Sequence, residues 1–129
     1  MNRILALSII LTTAAAQCLA ADTSWTPDSA TIQKLEVAAA KADWGPQSHH
    51  QPAASIDTYA RFYAGTIEGG HHIVRGVFTS RSLRPAKGVH IVSTMGQLPM
   101  IMDGGCNVVD VNYDADSDQI IYIRCHGFG

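Results

Sequence analysis

Residues 106–125 read CNVVDVNYDADSDQIIYIRC, two β-like runs around an aspartate-rich turn, with a cysteine at each outer end. Both runs are rich in β-branched and aromatic residues, and Asp and Ser are ordinary turn residues, so the stretch predicts a β-hairpin. If Cys106 lies opposite Cys125, residues 114–117 form a four-residue loop, which is a permitted hairpin length. Direct opposition also brings the two Cα atoms to about 4.5–5.5 Å, a separation that a disulfide tolerates. We therefore predict a C-terminal hairpin clamped by a disulfide between Cys106 and Cys125.

This register places the residues of the hairpin on two faces, and both faces are largely apolar. One face, which we expect to lie under a helix, carries Val109, Val111, Tyr113, Asp118, Ile120 and Tyr122. The opposite face carries the two cysteines together with Val108, Asp110, Ile121 and Ile123. These last four residues form a candidate partner surface, because the Met-rich segment before the hairpin, a loop or a second molecule must cover them.

Residues 1–20 have the layout of a secretory signal peptide: a positive start at Arg3, an apolar run over residues 4–11 and an alanine-rich end with cleavage after Ala20. The apolar run is too short to span a bilayer, so we expect no membrane anchor after cleavage. Removal of the leader takes Cys18 and Arg3 away, which leaves two cysteines, eight basic residues and eleven acidic ones, a net charge of −3. The sequence therefore predicts a periplasmic or secreted protein with paired cysteines and gives no reason to expect nucleic acid as a partner.

Residues 21–129 are predicted to form a single small α+β domain, which begins with a helix over residues 27–43. Thr26 is placed to cap this helix, and Pro27 suits its first position. Apolar residues then recur at helical spacing, at Ile32, Leu35, Ala39 and Ala42. Residues 44–55 are rich in Gly, Pro, Ser and Gln and predict a surface connection.

A second hairpin is predicted over residues 58–79, where Gly69-Gly70 separates two runs of aromatic and β-branched residues. Pairing around these glycines sets Phe62 opposite Val77, Tyr63 opposite Gly76 and Thr66 opposite Ile73. A short helix that starts at residue 55 is the alternative, because short apolar runs cannot be separated by their period alone.

The remaining segments predict a third strand over residues 88–92 and a short Met-rich helix over residues 99–103. Pro99 can open that helix, Gly104-Gly105 can end it, and its methionines are expected to fill gaps against the sheet. The predicted fold is therefore an N-terminal helix packed on a five-stranded, mainly antiparallel sheet, with the Met-rich helix before the disulfide-clamped hairpin.

Histidines are the first candidates for chemistry, and His71, His72 and His90 are the candidate metal ligands. Imidazoles suit Zn or Cu, and thioethers suit Cu(I), so Met95, Met100 and Met102 are further candidates. Adjacent histidines on a strand point to opposite faces, however, and solvated histidines in loops and turns are the simpler interpretation.

The series Asp114, Asp116 and Asp118 is similar to the start of an EF-hand loop, but Gln119 stands where that loop needs glycine and Cys125 where it needs glutamate. A polar hairpin tip that binds calcium at most weakly is the simpler interpretation. A thiol nucleophile built on Cys106 or Cys125 is disfavoured, because paired cysteines in an exported chain are oxidised. The chain contains no GxSxG and no Walker-type motif.

Small size, a disulfide-stabilised fold and missing catalytic motifs favour an exported, non-enzymatic binding module, which contacts another protein as an inhibitor or an immunity protein does. The first alternative is an exported metal-binding protein that uses histidines and methionines for Cu or Zn. The second is a small hydrolase whose His, Asp and Ser come together only in the fold. No cofactor is expected.

Overall fold

The computed structural model describes residues 23–80 and 87–127. Within these ranges, six strands form a single sheet in the order β1-β2-β3-β5-β6, and β4 also pairs with β2. The elements are β1 Ser24–Trp25, α1 Ser29–Lys41, α2 Pro46–His50, β2 Ala60–Glu68, β3 His71–Thr79, β4 Gly88–Ile91, β5 Val108–Asp114 and β6 Gln119–Cys125. The predicted α+β class, with an N-terminal helix on a mainly antiparallel sheet, is confirmed. The predicted signal peptide, residues 1–20, lies outside the described residues.

Helix α1 covers one face of the sheet and begins two residues later than predicted. Asp28 is its N-cap and accepts a hydrogen bond from the backbone N–H of Thr31 at 2.8 Å. An aspartate ranks above a threonine as a cap, so Asp28 takes the position predicted for Thr26. The predicted apolar stripe packs on the sheet, with Ile32, Leu35 and Ala39 buried and Ala42 partly buried.

The hairpin of β2 and β3 forms the centre of the sheet and has the predicted register, with Phe62 opposite Val77 and Tyr63 opposite Gly76. The alternative helix is reduced to a 3-10 turn, Ile56–Thr58, ahead of β2. Gly76 lies where two large side chains cross, since a Cβ on it would stand 2.6 Å from Val111 Cγ1 and 2.9 Å from Tyr63 Cδ1. Because Gly76 has no side chain, Val111 and Tyr63 can pack closely over it on the face of the sheet that α1 covers.

Replacing Gly76 with alanine is expected to lower the free energy of unfolding by about 1–3 kcal/mol, because overpacking a filled core forces neighbouring groups to move. Urea denaturation of the purified variant measures this change. Gly96→Ala is the matched control, because a Cβ there meets nothing within 4 Å. Equal denaturation midpoints for Gly76→Ala and the unmodified chain would contradict the packing described above.

The edge of β2 is shared by two short strands. β1 pairs with its C-terminal half, where Trp25 lies opposite Gly65, and the pairing is antiparallel. β4 pairs with its N-terminal half, where Val89 lies opposite Arg61, and this pairing is parallel. The sixth strand, absent from the prediction, is β1, which uses Trp25 in an extended conformation before α1.

The predicted register of the C-terminal hairpin is wrong, because Val109 and not Cys106 lies opposite Cys125. A bulge at Ile121 shifts the register between Asn112 and Tyr113, and the loop closes over residues 115–118. An extra residue on one strand reverses the faces beyond it. The face under the helix was predicted correctly for four residues: Val109, Val111, Tyr113 and Ile120. Beyond the bulge, Ile123 and Cys125 lie on this face, and Tyr122, which was predicted to lie there, does not.

The predicted disulfide nevertheless forms, with the two Cα atoms 4.5 Å apart. Cys106 reaches Cys125 from a 3-10 turn, Gly105–Asn107, that precedes β5. Gly104 and Gly105 have φ of 140° and 54°, and this left-handed backbone reverses the chain into the turn. The hydroxyl of Tyr59 holds the turn by donating to the carbonyl oxygen of Cys106 at 2.6 Å.

Two connections differ from their predictions. Residues 44–55 contain the helix α2, and Trp44 is a core residue, 6% exposed, whose Nε1 donates to the carbonyl oxygen of Ala39 at 2.8 Å.

The predicted Met-rich helix over residues 99–103 is wrong. A 3-10 turn, Met95–Gln97, forms earlier in the chain, and residues 99–103 belong to no helix. Proline at position 99 favours an extended residue before it, and Leu98 has the extended backbone φ −66°, ψ 141°.

Candidate functional site

The turns of the two hairpins lie side by side at one end of the sheet. β3 begins where β5 ends, so Ile73 lies opposite Asp114. The backbone N–H of Ala115 donates to the carbonyl oxygen of His72 at 2.9 Å and joins the second turn to the first. We call this region the hairpin tips and define it by His71, His72, Asp114 and Asp116.

Each histidine of the tips contacts a different aspartate. His71 Nδ1 lies 3.3 Å from Asp114 Oδ2, and His72 Nδ1 lies 3.0 Å from Asp116 Oδ1. The backbone N–H of His72 also donates to Asp116 Oδ2 at 2.9 Å. Although adjacent side chains leave opposite faces of a strand, as predicted, both imidazoles reach the same aspartate-rich turn because it wraps around the end of β3.

Both carboxyl groups are held in their charged form. The backbone N–H of His72, followed by its side chain, lowers the pKa of Asp116. For Asp114, partial burial acts to raise the pKa, but the backbone N–H groups of Asp116 and Ser117 with the nearby His71 outweigh it, and the net pKa is lowered. Asp114 Oδ1 accepts from both of these N–H groups, at 2.9 and 3.3 Å.

Three donor atoms at the tips, one each from His71, Asp114 and Asp116, lie within 4.8 Å of one another. Of the three histidines predicted as metal ligands, His71 therefore lies beside two carboxylates, those of Asp114 and Asp116. His72 orients Asp116 and packs its ring against Trp25, with centroids 4.9 Å apart. His90 lies elsewhere, stacked on Phe62.

Asp118, the third aspartate of the EF-hand-like series, points away from the tips. It accepts from Lys34 Nζ at 3.0 Å and from the hydroxyl of Tyr113 at 3.0 Å. Burial, followed by the hydrogen bond to Asp118, raises the pKa of Tyr113 to about 12. Asp118 thus ties the C-terminal hairpin to α1.

The second candidate region is the methionine segment, residues 95–102, whose first residues lie over the face of the sheet opposite α1. Met95 and Leu98 line a cleft of about 280 Å³ together with Val77, Asp110 and Tyr122 of the sheet. Beyond the cleft, Met100 is 92% exposed and Met102 is 83% exposed. The prediction that the methionines fill gaps against the sheet is therefore wrong for these two.

The four residues of the predicted partner surface do not share one exposed face. Val108 is fully buried, because Gly104 packs on it, and Ile123 packs against the core on the helix side. Asp110 lines the cleft, and its Oδ2 lies 2.8 Å from His126 Nε2. Ile121 is 60% exposed at the bulge. A loop, one of the predicted covers, therefore covers Val108. The bulge moves Ile123 to the core face, which the predicted register did not.

Two arrangements bear on catalysis. Cys106 and Cys125 are joined in the disulfide and offer no thiol nucleophile. Ser48 Oγ and His49 Nε2 both approach Asp43, at 3.3 and 3.7 Å. Ser48 also donates to the carbonyl oxygen of Gly45 at 2.6 Å, and this local bond belongs to the first turn of α2, not to a nucleophile and its base.

Among the residues that the structure describes, no helix is long and apolar enough to cross a membrane. Comparisons with protein-family models, with curated proteins and with solved structures find no match to this chain.

Proposed function

We propose that this chain is an exported, non-enzymatic binding module that contacts another protein through the methionine segment and the cleft beside it. The observation that carries the proposal is the exposure of Met100 and Met102, at 92% and 83%. Burying one such side chain at an interface is worth about 1.5–3 kcal/mol, so two of them can supply a large part of a binding free energy. Methionine is also flexible and polarisable, which lets it fit the surface of a partner.

The start of the methionine segment is held in place by hydrogen bonds of Gln97. Gln97 Oε1 accepts from the backbone N–H groups of Ser93 and Thr94, at 2.9 and 3.0 Å, and closes a capping box at the start of the 3-10 turn. Pro99 fixes one further backbone angle between Leu98 and Met100. Because this turn and the proline are fixed beforehand, binding through the segment loses less backbone entropy at these positions.

The surroundings of the cleft suit a protein interface. Tyr122 and Arg75 line it, and tyrosine and arginine are the residue types that dominate binding energy at such interfaces. Arg124 lies over the ring of Tyr122, with its guanidinium carbon 5.4 Å from the ring centroid.

A disulfide supports an oxidising compartment, and together with the predicted leader it supports export.

Photo-methionine labelling tests the proposal, because the chain's methionines after Met1 are Met95, Met100 and Met102. Ultraviolet irradiation of the labelled chain in its exported fraction is expected to crosslink one partner protein, with adducts that mass spectrometry maps to residues 95–102. Affinity for that partner is then measured with Met100→Gln/Met102→Gln. The double variant is expected to bind at least about tenfold more weakly, since loss of one interface anchor often costs more than 1 kcal/mol.

Val37→Gln is the matched control, because Val37 is an apolar side chain of α1 that is 52% exposed on the other face of the molecule. It should bind the partner as the unmodified chain does. Equal binding by the double methionine variant and the unmodified chain would remove the methionine segment from the proposal.

A further inference from the structure

We propose that the hairpin tips form a binding site for a borderline divalent ion such as Zn²⁺, with His71, Asp114 and Asp116 as its protein ligands. The proposal is independent of the protein-binding function, because the tips and the methionine segment share no residue. It begins from the placement of one imidazole and two carboxylates within 4.8 Å of one another.

The donor atoms stand close to the spacing that one ion requires. Zinc binds histidine nitrogen and carboxylate oxygen at about 2.0–2.2 Å in a tetrahedral arrangement, so two of its ligand atoms are about 3.3–3.6 Å apart. His71 Nδ1 and Asp114 Oδ2 already meet this condition at 3.3 Å. The side chains of His71 and Asp116 are 59% and 45% exposed, so both can make the small movement that completes the set.

Asp114 has one oxygen bound by backbone donors and the other beside His71, whereas both oxygens of Asp116 contact His72 and leave lone pairs for an ion. Asp114 Oδ1 accepts from two N–H groups, and its Oδ2 faces His71. Asp116 Oδ2 accepts from the backbone N–H of His72, whose Nδ1 lies against Oδ1. His72 is therefore a positioning residue, comparable to the outer groups that orient the ligands of metal sites.

Charge favours a cation between the tips. The two aspartates carry charges of the same sign within 4.8 Å, and in the described part of the chain their ion-pair partners are the histidines. The neighbouring Asp118 is instead paired with Lys34, whose charge is permanent. A bound divalent ion would neutralise the charge of the two aspartates.

The donor types select the class of ion. Carboxylates alone suit Ca²⁺ or Mg²⁺, whereas one imidazole with two carboxylates suits Zn²⁺ and its neighbours in the first transition row. With three protein ligands, solvent or a group of a partner molecule would complete the coordination.

Isothermal titration calorimetry of the full mature chain with ZnCl₂ tests the site. One Zn²⁺ ion is expected to bind per chain, and His71→Gln and Asp116→Asn are each expected to weaken binding at least about tenfold, since even outer-shell changes cost about 10- to 100-fold. Both substitutions preserve side-chain size, and circular dichroism checks that the variants fold. The imidazole signals of His71 should shift in the proton NMR spectrum when Zn²⁺ is added.

His49→Gln is the matched control, because His49 is an exposed histidine that lies beside Asp43, away from the tips. It should leave Zn²⁺ binding unchanged. The proposal is overturned if the unmodified chain binds no Zn²⁺, if His71→Gln binds it with unchanged affinity, or if binding is lost in His49→Gln. A parallel titration with CaCl₂ distinguishes the proposed site from a site made of carboxylates alone. If the chain binds Ca²⁺ equally well with and without His71→Gln and binds no Zn²⁺, the proposal is also overturned.

Discussion

Replacing Arg61 with methionine is expected to lower the free energy of unfolding by about 3–5 kcal/mol, the cost of leaving one partner of a buried ion pair alone. Arg61 is 8% exposed and lies beneath α1, where its Nε donates to Glu36 Oε1 at 2.6 Å. Its Nη1 donates to the carbonyl oxygens of Ile56 and Tyr59, at 2.9 and 3.0 Å. Without the guanidinium, the Glu36 carboxylate keeps the hydroxyl of Tyr63 as a donor but loses its opposite charge. Urea denaturation of the purified variant measures the loss.

A double variant separates the charge from the packing. In Arg61→Met/Glu36→Gln the carboxylate charge is gone, while the amide oxygen still accepts from Tyr63, so the double variant should be more stable than Arg61→Met alone. Lys34→Met serves as the control for an exposed pair, because Lys34 and Asp118 are 62% and 52% exposed and such pairs contribute about 0–1 kcal/mol. If Arg61→Met and Lys34→Met have equal midpoints, the buried pair is not a major source of stability.

Removing the disulfide by Cys106→Ala/Cys125→Ala is expected to cost about 3 kcal/mol, within the usual range of about 2–5 kcal/mol. The two cysteines are 19 positions apart in the chain. On the chain-entropy account, removing the bridge stabilises the unfolded state by raising its conformational entropy, and it changes the folded state less. Both cysteines are buried, at 3% and 2% exposure, so alanine is the suitable replacement. Denaturation in urea with and without a reducing agent measures the effect.

The reducing agent provides the internal control. It should lower the midpoint of the unmodified chain and leave that of the double alanine variant unchanged. A reductant that has no effect on the unmodified chain would mean that the bridge does not contribute in solution.

Local patterns explain which parts of the fold could be predicted. The β2–β3 register follows from the two-residue turn at Gly69-Gly70, because a tight turn determines every pair that follows it. The C-terminal register could not be derived in the same way. It depends on a bulge at Ile121, which no residue type in the sequence signals, and on a 3-10 turn around Cys106, where Gly104-Gly105 signals a turn but not the pairing that follows it.

The candidate sites needed tertiary information that the sequence does not contain. His71 and the aspartates of residues 114–118 were each noted as candidate ligands, but their meeting depends on β3 and β5 being neighbours in the sheet. The sequence does not predict the exposure of Met100 and Met102, because methionine is usually a core residue. Pro99 is the residue that could have indicated an extended loop here, since proline is common both in extended loops and at the first position of a helix.

The two tryptophans of the chain occupy environments that differ in a way an optical measurement can use. Trp44 is 6% exposed and lies against Tyr59 and Phe78, with ring centroids 5.9 and 6.1 Å away. Trp25 stands at the edge of the sheet against the imidazole of His72. Indole emission depends on nearby water and on the groups packed against the ring. Trp44 is therefore an intrinsic reporter of the core, and Trp25 is an intrinsic reporter of the hairpin tips.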